Sequence, residues 1–352
     1  MTPPPLAVPE PTPAVQAQRA PGPPGVAGGH DDGTDPAFRL VGLATDGLPR
    51  SERAYEAATS IARAFGARLH LLVVTPTHLD LGYYAVVAPA PEPPLPESEG
   101  EEKYYREIAA RQGERAIRDG VVSVTRETPV GRPAEAILAA VERTRADLIV
   151  LGARDLSTVH RVLVGSTSSA VAALSAAPVL VARGRPPTGP AGRPPPFDRI
   201  VAAVDPSGDS TAALRRAVAL SRGLAVPLTV ISVVPPLVAG GLRSHEAQRR
   251  QAELLLAAED QLARARQRAS EGGVAETTTE LLRGPPSETI LDYLDEGDAH
   301  LLVVGSRGRT LPRELLLGSV SSALLHHAPC SILIERGHPR ERPGADGPRP
   351  QF

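Results

Sequence analysis

Short unbroken apolar runs alternate along this chain with longer stretches whose apolar residues recur at helical spacing. In the second half the runs fall at about 199–204, 227–234, 274–282, 300–305 and 330–335. Runs of this length without polar alternation predict strands buried on both faces, which means a parallel sheet covered by helices on each side. Ser207 and Asp209 precede a helix expected over 209–223, since short polar side chains cap exposed amides. A second helix is expected over 244–270, where Leu254, Leu255 and Leu262 stand among charges. Right-handed crossovers then dictate a doubly wound order. The first half follows the same plan, enlarged between Pro76 and Gly100 by a Pro-rich stretch that reads as a solvated surface loop.

Three segments are too rich in Pro and Gly to pack: residues 1–36, 185–196 and 337–352. They read as tails and a linker, leaving domains at 37–184 and 197–336. The two blocks repeat each other. Phe38 to Asp46 matches Phe197 to Asp205, each an apolar strand ending in Asp, and Leu148 to Gly152 matches Leu301 to Gly305. A constant offset of 153 residues relates Gly131 to Gly284, Gly152 to Gly305 and Gly165 to Gly318. The expected fold is therefore α/β, two doubly wound domains of five parallel strands in tandem.

Composition narrows the chemistry. Aromatic residues are 3% of the chain against 41% apolar, so the core must be built from Ala, Val, Leu and Ile. A net charge of −2 provides no field toward nucleic acid or an anionic membrane, and neither is an expected partner. The single cysteine, Cys330, excludes an intrachain disulfide and a cysteine-cluster zinc site, and lying in an apolar run it reads as structural. Residues 1–29 lack the basic start and apolar stretch of a signal peptide, and no run of 18 clean apolar residues follows, so a cytoplasmic protein is expected.

The segment that points to a ligand is Gly305-Ser306-Arg307-Gly308, followed after nine residues by Gly318-Ser319-Val320-Ser321 at a predicted helix start. At the carboxyl end of a parallel strand, glycines let the backbone approach phosphate oxygens and helix amides attract anions. Ser319 and Ser321 can add hydroxyl donors, and Arg307 or Arg309 positive charge. At these residues the chain resembles the universal stress protein family, whose ATP-binding members carry Gly-x2-Gly-x9-Gly with Ser or Thr. The resemblance spans about 37–184 and 197–336. It implies a Rossmann-like, adenine nucleotide alpha hydrolase-like fold, and a regulatory protein of the stress response holding ATP with Mg2+ mainly in the second domain. Asp205, Val233 and Gly284 would then line the base and ribose.

The first domain departs from the pattern. Its Gly152-Ala153-Arg154-Asp155 puts a carboxylate where the second glycine stands, so Asp46, Gly131, Gly152, Gly165 and Ser166 form a weaker expected site. At ~5 Å and an effective dielectric near 20, that carboxylate would oppose a phosphate by roughly 3 kcal/mol. His160 lies in the same loop, and His326 with His327 ends the last helix, where a cation would complement the dipole.

Catalysis is not expected beyond slow ATP hydrolysis: no metal-ligating cluster, paired carboxylates or Walker lysine is present, Lys103 being the only lysine. Ser207-Gly208-Asp209-Ser210 resembles a pyrophosphatase-type loop of adenylating enzymes with one glycine missing, and helix capping explains it better. A third reading is a scaffold in which the last strands of the domains, around Val179 and Ile332, pair edge to edge with nucleotide incidental. The regulatory protein partner, and any homodimer, are left open.

Overall fold

The computed structural model describes residues 38–76, 98–153, 164–184, 196–237, 244–308 and 317–337. Outside them lie Asp155, His160, Arg309, the expected tails and linker save Pro196 and Gly337, and residues 77–97 of the Pro-rich loop; that loop ends earlier than expected, since Ser98 already begins a helix.

In the first domain, strands β1 (Leu40–Ala44), β2 (Arg68–Leu72), β3 (Val124–Glu127), β4 (Leu148–Gly152) and β5 (Val179–Ala182) alternate with helices α1 (Glu52–Phe65), α2 (Ser98–Arg118), α3 (Pro133–Thr144) and α4 (Ser166–Leu174). The second repeats the order with β6 (Ile200–Ala203), β7 (Leu228–Val234), β8 (Thr277–Arg283), β9 (Leu301–Gly305) and β10 (Ser331–Glu335). Its helices are α5 (Gly208–Leu224), α6 (Ser244–Glu271), α7 (Pro286–Glu296) and α8 (Ser319–His327). Local sequence accounts for these limits. Ser207 accepts a hydrogen bond from the Ser210 amide as the cap of α5, Pro133 and Pro286 occupy first turns, and Gly66 ends α1 at φ 62°.

The strands form one sheet of ten, ordered β3-β2-β1-β4-β5-β10-β9-β6-β7-β8. Within each domain every pairing is parallel; the one antiparallel contact joins β5 to β10. The edge-to-edge pairing expected of the last strands is therefore present within the chain. Because strand side chains alternate, Leu43, Leu71, Val150, Leu180 and Leu333 face a core completed by α1, α2, α5 and α6. Leu72, Ile149, Val181, Leu302 and Ile332 face the opposite core with α3, α4, α7 and α8. Both cores run through both domains.

Side chains also cross the seam. Phe65 from α1 fills the space left by Gly223 on α5, where a Cβ would come within 2.5 Å of its ring, and the Arg216 guanidinium lies 4.7 Å from the centre of the Phe38 ring. On the other side Arg183, only 4% exposed, donates to the carbonyls of Cys330 at 2.8 Å and Leu324 at 3.1 Å. Its counterpart in the repeat, Arg336, donates to Ala172 and to Ala173 at 2.8 Å. Each arginine thus reaches the last turn of the other domain's final helix, where unsatisfied carbonyls favour a cation.

This corrects the expectation for His326. It and His327 occupy the last turn of α8, but burial first, then His327 and Arg183, lower the His326 pKa. The neutral form of His326 is favoured, and Arg183 brings the positive charge to that helix end. Cys330 is buried just ahead of β10, and burial pushes its thiol up to about 12.

Candidate functional site

Both crevices open at the carboxyl ends of the strands, and they are built from matching bonds. Gly131 donates its amide to the Thr75 carbonyl at 3.0 Å, and Gly284 donates to Val234 at 3.2 Å. Their φ angles, 145° and 148°, belong to a region that side chains resist, which explains glycine at both places. Helices α4 and α8 begin after Gly165 and Gly318 without a side-chain cap, so their first amides remain available at the crevice mouth. Ser168 donates its hydroxyl to the Gly152 carbonyl at 2.8 Å, whereas its counterpart Ser321 donates one residue further along, to the Ser306 carbonyl at 2.7 Å.

Gly152 and Gly305 let the strand ends approach the loop after each first strand. A Cβ on Gly152 would lie 3.3 Å from the Arg50 carbonyl oxygen, and one on Gly305 would lie 2.9 Å from the Asp209 carbonyl carbon and the Ser210 amide. The two contacts identify Arg50 and Asp209 as the same position of the repeat, four residues after Asp46 and Asp205.

In the first domain these elements enclose a cavity of about 260 Å³. Asp46, Gly152, Gly165 and Ser166 all line it, as expected from sequence; Gly131 is not among its lining residues. Its lining joins the polar Asp46, Arg50 and Ser51 to the apolar Leu72, Val74, Pro76 and Ile137, with Tyr104 and Tyr105 of α2. Asp46 accepts from the Leu48 amide at 3.0 Å, from the Ser51 hydroxyl, and from Arg50 at 2.7 Å.

The second domain assembles the same loops differently. Asp205 accepts from the Ser207 amide at 3.1 Å and from its hydroxyl, and a Cβ on Gly308 would come within 3.1 Å of the Asp205 carboxylate. Arg307 pairs with Asp209 at 3.2 Å, and Asp209 also accepts from Ser306 at 2.7 Å. Arg307 is thus committed to a carboxylate, and the buried Ser321 hydroxyl serves the Ser306 carbonyl. Among the expected donors, Ser319 is exposed at the start of α8, while Val320 and Val233 pack partly against the core. A shallower cavity of about 430 Å³ touches Gly284, between the end of β7 and α6, without reaching Asp205 or Gly318.

Sequence reasoning did not find Val74, Arg50 or the two tyrosines. The strand registers supply the signal for the first. Val41 pairs with Leu69 as Ile200 pairs with Leu228, so Val74 is the counterpart of Val233.

The family model for universal stress proteins matches residues 37–183 and again 196–336. The chain belongs to the universal stress protein family. Its sequence is 37% identical over 152 residues to a universal stress protein of Thermus aquaticus, covering 42% of this chain and 99% of that protein. Among solved structures, a universal stress protein of Archaeoglobus fulgidus aligns with a TM-score of 0.57 at 20% identity, over 85% of this chain and 98% of that one. A functionally unknown protein of Pseudomonas aeruginosa aligns with a TM-score of 0.59 at 18% identity, over 86% and 93%. These two likenesses concern the fold. Among the described residues no helix is long and apolar enough to cross a membrane, and no cluster of three His, Cys, Asp or Glu is poised for a metal.

Proposed function

We propose that this universal stress protein is an adenine-nucleotide-binding regulatory protein with two unlike sites. The reading rests on one observation: the same crevice is built twice, each joining a strand-end Asp, a glycine turn and uncapped helix amides, with an apolar wall beside it in the first domain. An apolar wall suits a base, and free amides suit phosphate. The second domain keeps both turn glycines and is the expected main ATP site. The first has the better enclosed cavity but carries Asp155 in its turn.

Mg2+ would arrive on the phosphates, with Asp205 or Asp46 the carboxylate within the crevice best suited to it; magnesium needs only one or two protein carboxylates when phosphate supplies the rest. Occupancy would order the glycine turn and alter a surface read by a cytoplasmic partner, with hydrolysis slow or absent. The continuous sheet favours a second reading, in which the paired domains form a scaffold and nucleotide is incidental.

Calorimetric titration of ATP with Mg2+ into the full chain, beside Gly318→Asp and Gly165→Asp, separates the readings. Two sites of different affinity, each lost with its own variant, support the proposal. Absence of heat, with no nucleotide copurified, leaves the scaffold.

A further inference from the structure

The two crevices differ most sharply in the sign of charge at one position. Arg50 and Asp209 occupy the same place against the same strand-end glycine, yet one is a cation and the other an anion. In the second domain Asp209 draws Arg307 onto itself at 3.2 Å. In the first, Arg50 is the one cation among the described residues lining the cavity, which Gly152, Gly165 and Ser166 also line. We propose that Arg50 is the specificity-determining residue of the first domain: it binds the phosphate of a nucleotide whose base rests on Val74, Pro76 and Ile137.

The pair that Arg50 makes with Asp46 does not prevent this. The two side chains are 40% and 35% exposed, so the attraction is weakened by solvent. When Arg50 turns toward a ligand, Asp46 retains the Leu48 amide and the Ser51 hydroxyl and is not left orphaned. An arginine suits the task because its planar fork can hold two phosphate oxygens at once. The carbonyl of Arg50 is fixed against Gly152, and Arg50 lines the cavity beside Asp46.

The inference rests on nucleotide binding, and its test separates the two. Adenosine, AMP and ATP are titrated into the full chain carrying Gly318→Asp, which silences the second crevice, with Arg50 intact or changed to Ala or Lys; circular dichroism checks the fold. Arg50→Ala is expected to weaken ATP and AMP by roughly tenfold to a hundredfold, the worth of a charge-assisted hydrogen bond, while adenosine changes less than about twofold. Arg50→Lys should recover part of the loss. Equal weakening of all three ligands, or no change in any, overturns the role of Arg50 and leaves nucleotide binding standing. If the Arg50-intact chain carrying Gly318→Asp binds none of the three, the first crevice is no nucleotide site and the role of Arg50 falls; ATP binding by the chain without Gly318→Asp then decides whether the second crevice still stands.

Discussion

Leu180 lies directly opposite Leu333 across the antiparallel seam, and the two are equivalent residues of the repeat. A residue can face its own counterpart only on a two-fold axis, so the pair marks the pseudo-symmetry centre of the molecule. Both side chains are fully buried. Leu180→Ala and Leu333→Ala should each lower unfolding stability by about 2–5 kcal/mol. Because the two residues share one place, the double variant should depart from additivity by more than about 0.5 kcal/mol. Urea titrations of the four proteins check both statements.

The strand-end glycines should respond unequally to a methyl group. Gly305→Ala drives a Cβ against Asp209 and Ser210 backbone at 2.9 Å, where neither neighbour can rotate away. Gly152→Ala meets its closest atom at 3.3 Å. The first change should cost about 1–3 kcal/mol and the second clearly less, as measured by thermal unfolding of the two variants side by side.

His70 predicts an acid weakness in the first domain. Its ring, buried on β2, lies 2.8 Å from the Thr125 hydroxyl and 3.1 Å from Glu127, with Arg143 also paired to Glu127. Burial, the largest cause, lowers its pKa below 6.5, opposed by Glu127 and aided by Arg143. The unfolded chain therefore binds the proton first. Stability is full above pH 6.5 and falls as pH drops through 6.5 toward the lower folded value. His70→Gln should flatten the decline between pH 7 and 5 in denaturation midpoints; an unchanged slope would assign the weakness to other groups.

Cys330 provides a probe of the seam. As the chain's one thiol, buried and pushed up to about 12, it should resist a disulfide reagent at pH 8 in the native protein and react readily in urea. The raised value also makes stability fall as pH rises from about 9 toward 12, since only the unfolded thiol ionises there. Labelling rates followed against urea should track opening of β10; rapid labelling without denaturant would mean that β10 detaches from the fold.

The architecture was legible because the repeat shows each element twice. A limit uncertain in one copy can be read from the other, and the predicted strands of the second half lie within a few residues of β6 to β10. The start of β8 moved because Val274 closes the end of α6, donating its amide to Ala269. The crevice was legible in its glycines, whose spacing is dictated by backbone geometry. Its charges were not. The pairing of Arg307 with Asp209, and the reach of Arg183 and Arg336 to the other domain's final helix, join residues distant in sequence, and no local pattern signals them. Tyr104 and Tyr105 escaped notice for a related reason: the periodicity of α2 gives its faces but not its rotation over the crevice.

The antiparallel joint between β5 and β10 has an evolutionary consequence. When two identical subunits meet about such an axis, a change in one is copied into the other, and the pair cannot differentiate. Joining the halves in one polypeptide removes that bond between them and makes their meeting independent of dilution. Here the two copies have used that liberty inside the crevice, where one inherited an arginine and the other an aspartate at the same position.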